Sequence, residues 1–73
     1  MEANINEYTK IRSGTKQGYK YIAFSTPVNG GFEVTAFLYC KNGAIENCIT
    51  RYHNHRGHIL SAAAAITETI REL

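Results

Sequence analysis

Three histidines, two cysteines and one serine are the groups in this chain whose types and spacing suit metal binding or nucleophilic chemistry. His53, His55 and His58 lie close together, and alternate residues on a strand, or residues three apart on a helix, share a face as a metal site requires. No acid stands near them, and all six acids of the chain are Glu placed elsewhere. The histidines therefore read as exposed loop residues, and no metal is expected. The string His53-Asn54-His55 spells the letters of a nuclease motif, but in that motif the residues are spread over a hairpin and a helix, so adjacency carries nothing. Cys48 or Ser61 beside a histidine would give a nucleophile and a base, yet such a pair needs an orienting third group and a pocket. The chain has no Asp, and no glycine-rich phosphate loop joins a strand to a helix. Neither catalysis nor a cofactor is expected.

The remaining chemistry is basic and aromatic. Lys10, Arg12, Lys16 and Lys20 form one run without an acid, and Arg51, His53, His55, Arg56 and His58 form a second. Lys16, Lys20, Lys41, Arg51 and Arg56 have the charge to neutralise phosphates, while Tyr19, Tyr21, Phe37 and Tyr39 have the faces to stack on bases, which together define a nucleic-acid reading. The leading expectation uses much the same residues differently. Tyr and Arg are the side chains that dominate protein interfaces, so Tyr19, Tyr21, Phe37, Tyr39, Arg51 and Arg56 are the expected contacts of a small non-enzymatic binding protein. It would dock on a protein partner through its sheet face or an unpaired edge, in the manner of the short inhibitors and adaptors that phages and plasmids encode. Self-association through the sheet edge or an alanine-rich helix is a further reading, with a homodimer as the product.

Size limits what can hold these residues. A chain of 73 residues makes one domain, 1–73, and buries only about 60% of the surface its unfolded form exposes. With 44% hydrophobic and 19% charged residues it should fold rather than remain disordered. The first residues, Met-Glu-Ala-Asn, have neither a basic nor an apolar leader region, and the longest apolar run, Ala62 to Ile66, is too short for a bilayer. An intracellular, cytoplasmic protein with no membrane partner is expected, with Cys40 and Cys48 reduced.

The positioning elements follow from periodicity. Phe32 to Lys41 alternates strictly, with Phe32, Val34, Ala36, Leu38 and Cys40 on one side, as in a strand with one buried face. Tyr19 to Thr26 reads as a second strand stopped by Pro27. An even number of residues in the loop around Asn29-Gly30 would place Tyr19, Tyr21 and Ala23 beside that buried face, and an odd number would place Ile22 and Phe24 there. Burial favours Ile22 and Phe24, which sends Tyr19 and Tyr21 to join Phe37 and Tyr39 on the other side. Asn42-Gly43 signals a two-residue type I′ hairpin. That hairpin pairs Lys41 with Ala44, Cys40 with Ile45, Tyr39 with Glu46, Leu38 with Asn47, Phe37 with Cys48, Ala36 with Ile49, Thr35 with Thr50 and Val34 with Arg51. Ile59, Ala63, Ile66, Ile70 and Leu73 make one stripe of a C-terminal helix, and Ser61 is its N-cap if the helix starts late. Asn4 and Glu7, with Gly14 beyond, predict a short helix over Ile5 to Arg12, with an extra strand as the competing reading.

The expected fold is therefore α+β, a three-stranded antiparallel meander packed on a C-terminal helix, with a short N-terminal helix or extra strand alongside. A helix, three strands and a long helix in this order is similar to the layout of double-stranded-RNA-binding domains. The similarity covers order and length alone, because Arg56-Gly57-His58-Ile59 stands where those domains carry a lysine cluster.

Overall fold

The turns decide which side of each strand meets the helix. A computed structural model describes residues 10–54 and 61–73. It contains β1 (Lys10–Lys16), β2 (Tyr19–Val28), β3 (Gly31–Tyr39), β4 (Ile45–Asn54) and one helix, α1 (Ala62–Arg71). The strands form one antiparallel sheet in the order β1-β2-β3-β4, so the class is α+β but the sheet has four strands rather than three. The difference lies at the N-terminal end, where the residues predicted to finish a short helix instead start β1. Gln17 and Gly18 both take positive φ, at 52° and 87°, and close a tight hairpin that pairs Lys16 with Tyr19 and Lys10 with Ser25. Gly14 is not a helix cap. It sits mid-strand opposite Tyr21, and a Cβ there would lie 3.1 Å from the Tyr21 ring, so the missing side chain makes room for the aromatic one. Ile5 to Thr9 lie outside the described residues. The described order of four strands and a helix has one strand more than the three of double-stranded-RNA-binding domains.

The β2–β3 connection is even. Val28 pairs with Gly31 across Asn29-Gly30, and Gly30 takes φ 84°. Ala23 and Ser25 therefore lie beside Val34 and Ala36 on the helix side, all at 0% exposure, and Ile22 and Phe24 turn to the opposite side. This reverses the expectation from burial. A helix can approach a sheet closely only over small side chains, and the floor beneath α1 is Ala23 and Ala36, met by Ala65 of the helix. Ile22 and Phe24 in those places would hold the helix away. Pro27 does not end β2, which runs one residue further. Counted from the closing Val28–Gly31 pair, Pro27–Phe32 is a non-hydrogen-bonded pair. The proline nitrogen thus faces the β1 side, where the described pairs stop at Ser25.

The β3–β4 hairpin has a three-residue loop rather than two. The Gly43 N–H donates to the Cys40 carbonyl at 2.9 Å, the Cys40 N–H donates to the Ala44 carbonyl at 2.8 Å, and Gly43 alone in the loop has positive φ, at 90°. Cys40 therefore faces Ala44 and Tyr39 pairs with Ile45, not Glu46. A bulge at Glu46 then absorbs the extra residue, so that from Leu38↔Asn47 onward the pairs Phe37↔Cys48, Ala36↔Ile49, Thr35↔Thr50 and Val34↔Arg51 are those expected.

Helix α1 lies across the small-residue floor with Ala65, Ile66 and Thr69 buried, and Phe32, Ile49, Ile70 and Leu73 packed around the core. Ser61 caps it, its side chain accepting from the Ala64 N–H at 3.1 Å. Ile59 lies outside the described residues. Within this core the Ser25 hydroxyl is fully buried and has no hydrogen-bond partner among the described residues. An unsatisfied buried hydroxyl costs about 1–3 kcal/mol. Ser25→Ala is expected to raise stability by about 1 kcal/mol, seen as a higher urea midpoint with an unchanged m-value.

Candidate protein-docking face

Antiparallel pairs share a side, so the register sorts every described strand residue onto one of two faces. The helix side holds Lys10, Arg12, Gly14 and Lys16 of β1, Tyr19, Tyr21, Ala23 and Ser25 of β2, Val34, Ala36 and Leu38 of β3, and Asn47, Ile49, Arg51 and His53 of β4. Five polar side chains there, Arg12, Lys16, Asn47, Arg51 and His53, are engaged with α1 or the residues that follow it. The Arg12 guanidinium donates to Thr67 Oγ1 at 2.9 Å and to the Ala63 carbonyl at 3.1 Å. Lys16 Nζ donates to the carbonyls of Ile70 and Arg71 at 2.6 and 3.1 Å, placing a cation at the negative end of the helix dipole.

From the other edge, Asn47 Nδ2 donates to the Leu73 carbonyl at 3.2 Å, and Arg51 Nε pairs with Glu72 Oε1 at 2.9 Å. The Thr69 hydroxyl donates to the Ala65 carbonyl at 2.8 Å, and its oxygen lies 2.9 Å from His53 Nε2. The single hydroxyl hydrogen is spent on the carbonyl, so the imidazole carries a hydrogen on Nε2 and donates it. His53 is thus a structural contact of the helix. His55, Arg56 and His58 lie outside the described residues, and among those described no group of three His, Cys, Asp or Glu gathers as a metal site.

Among the described residues no helix lies on the opposite side. Ile11, Ser13 and Thr15 of β1, Lys20, Ile22, Phe24 and Thr26 of β2, Glu33, Thr35, Phe37 and Tyr39 of β3, and Ile45, Cys48, Thr50 and Tyr52 of β4 share it. The Phe24 and Phe37 rings lie 6.1 Å apart and Phe37 and Tyr39 6.3 Å apart, forming a row along the two central strands. Ile11 and Ile45 flank the row at 63% and 57% exposure. The hydroxyls of Thr35 and Thr50 meet at 3.1 Å, and the Tyr52 hydroxyl donates to the Asn29 carbonyl at 3.1 Å. Of the four aromatics expected on one face, Phe37 and Tyr39 are here, while Tyr19 and Tyr21 are on the helix side. Ile22 and Phe24 take their places, and the sequence signal for them was the even loop length.

A recess of about 330 Å³ opens at the end of the sheet between the two hairpin tips, lined by Lys20, Tyr39, Cys40 and Lys41 among others. Its thiol is quiet. Cys40 Sγ donates to Glu46 Oε1 at 2.9 Å, and that bond, then burial, then the carboxylate's charge, hold the thiol's pKa above its ordinary value. Both cysteines are free thiols.

The β4 edge of the sheet is partly closed by its own side chains. On β4, Asn47 Oδ1 accepts from the Cys48 N–H at 2.9 Å and Arg51 Nη1 donates to the Thr50 carbonyl at 2.9 Å. Main-chain groups that an added strand would use are occupied. Comparison with family models, curated proteins and solved structures gives no match to this chain.

Two outcomes follow from this arrangement. Lys16→Ala should lower stability by about 1 kcal/mol in urea unfolding, because it uncaps the helix C-terminus. Glu46→Ala should speed alkylation of Cys40 by iodoacetamide at mildly alkaline pH, since loss of the carboxylate lowers the thiol pKa and raises the thiolate fraction; an unchanged rate at Cys40, followed by peptide mass spectrometry, would contradict the assignment.

Proposed function

We propose that this chain is a non-catalytic protein-docking module whose docking surface is the face of its sheet opposite α1. The observation that carries the reading is the aromatic row of Phe24, Phe37 and Tyr39, flanked by Ile11, Ile22 and Ile45, on a face that α1 does not reach. Contiguous apolar surface of this kind stabilises a complex when a second apolar surface displaces its water. Charge supports a protein rather than a polyanion as the partner. Lys16 and Arg51, both candidates for phosphate contact, are committed to the helix, and the strand register gives the open face one cation, Lys20, and one carboxylate, Glu33. The covered main-chain groups on β4 favour the face over that edge.

A photo-cross-linking residue placed at position 37, and as a control at the exposed Arg71, tests the reading. Protein adducts from position 37 alone are expected, and the partner so identified should bind the Phe37→Ala chain roughly tenfold or more weakly with an unchanged far-ultraviolet spectrum. Adducts with nucleic acid, or binding to a mixed DNA and RNA pool that falls steeply with salt, would overturn it in favour of the alternative reading as a nucleic-acid-binding module.

A further inference from the structure

The two charges of the open face are placed symmetrically. Lys20 stands three residues before Ala23 on β2, and Glu33 stands three residues before Ala36 on β3, while Ala23 and Ala36 are themselves a pair. The two charges thus lie at equal distances, about 10 Å at a strand rise of roughly 3.4 Å, on either side of one point in the two central strands. Neither has an ion-pair partner among the described residues. Opposite signs at mirrored positions are what a self-complementary, two-fold surface requires.

We propose that the occupant of this face is a second copy of the same chain, stacked sheet on sheet about a two-fold axis that crosses the strands over the Ala23–Ala36 pair. It rests on the reading of the open face as a protein-docking surface. Such an axis lays the row Lys20–Tyr39 of one copy over the row Thr26–Glu33 of the other, so that a cation and a phenol meet a carboxylate, twice. The inner rows obey the same rule. Ile22–Phe37 lies over Phe24–Thr35, which sets Phe24 above Ile22 of the other copy and Phe37 above Thr35, a large ring against a smaller side chain at each place. Sheets stacked in this way sit about 10 Å apart, a gap that a lysine and a glutamate reaching toward each other can bridge. Four strands about nine residues long define a plane on the order of 600 Å² before side-chain relief, close to the roughly 800 Å² per partner of a standard interface. The product is an eight-stranded sandwich with both helices outside.

Sedimentation equilibrium of the purified chain, from micromolar to millimolar concentration, tests the proposal with two charge reversals. The native chain should dimerise. Lys20→Glu places two carboxylates together and Glu33→Lys two cations, and each variant alone should dimerise roughly tenfold or more weakly. Mixing the two variants should restore a dimer of near-native affinity, because the mixed pair has opposite charges at both contacts; this rescue also excludes misfolding of either variant. A native chain that stays monomeric throughout overturns the second copy as occupant, while the docking face itself stands or falls on cross-linking from position 37. A dimer indifferent to both single reversals, or no recovery on mixing, overturns the two-fold register.

Discussion

Among the described residues, one helix of ten residues packs on a sheet of four strands. A helix about 10 Å across covers roughly two strands spaced at about 4.8 Å, so apolar packing alone holds it over β2 and β3, where Ala23 and Ala36 make the floor. Everything else about the molecule responds to that shortage. The edge strands contribute long polar side chains in place of apolar ones, with Arg12 and Lys16 reaching over from β1 and Asn47 and Arg51 from β4. The helix is held at both flanks and at its C-terminal carbonyls. The bulky apolar residues of β2, excluded from beneath the helix, face the other way.

The basic character of the chain changes meaning in this setting. Read along the sequence, Lys10 to Lys20 is a positive run. Folded, it is a strand whose alternate cations lie on the helix side, where Arg12 and Lys16 satisfy carbonyls, followed by a turn and a single lysine on the far side. Half of the charge in that run, Arg12 and Lys16, is engaged in holding the helix to the sheet.

Alternation was enough to find β2, β3, β4 and the helix, because period two and period 3.6 are set by backbone geometry and survive any tertiary context. The pairing of Val34 to Leu38 with Asn47 to Arg51 comes from counting outward from a two-residue turn at Asn42-Gly43, and it holds because the bulge at Glu46 offsets the longer loop. Parity was the weak point. Tyr21 to Phe24 is apolar or aromatic on both sides, so hydrophobicity cannot say which side is inside, and the decision passed to the length of one loop. Preferring the larger side chains for the core failed because space under the helix, rather than apolar area, set the choice. β1 was hidden for a related reason: Gln17 is an unusual residue for a positive-φ turn position, and Gly14 resembles a helix stop until the Tyr21 ring is seen lying against it. The make-up of the sheet face opposite the helix was half legible, with Phe37 and Tyr39 placed on it and Ile22 and Phe24 displaced by the parity error.

The loop at Gly43 and the bulge at Glu46 act as a compensated pair of one-residue insertions. Against a two-residue turn at Asn42-Gly43, the first shifts the pairing by one residue, and the second shifts it back. A relative of this protein could therefore shed one residue from the loop and one from the strand in concert, leaving Ile49 against the core and Thr50 beside Thr35. Aligned residue by residue, two such chains would show two gaps a few positions apart in a hairpin whose geometry had hardly changed. Either gap alone would keep those pairs as well, because the residues that set them, Cys40 with Ala44 and Leu38 with Asn47, lie outside the loop and the bulge.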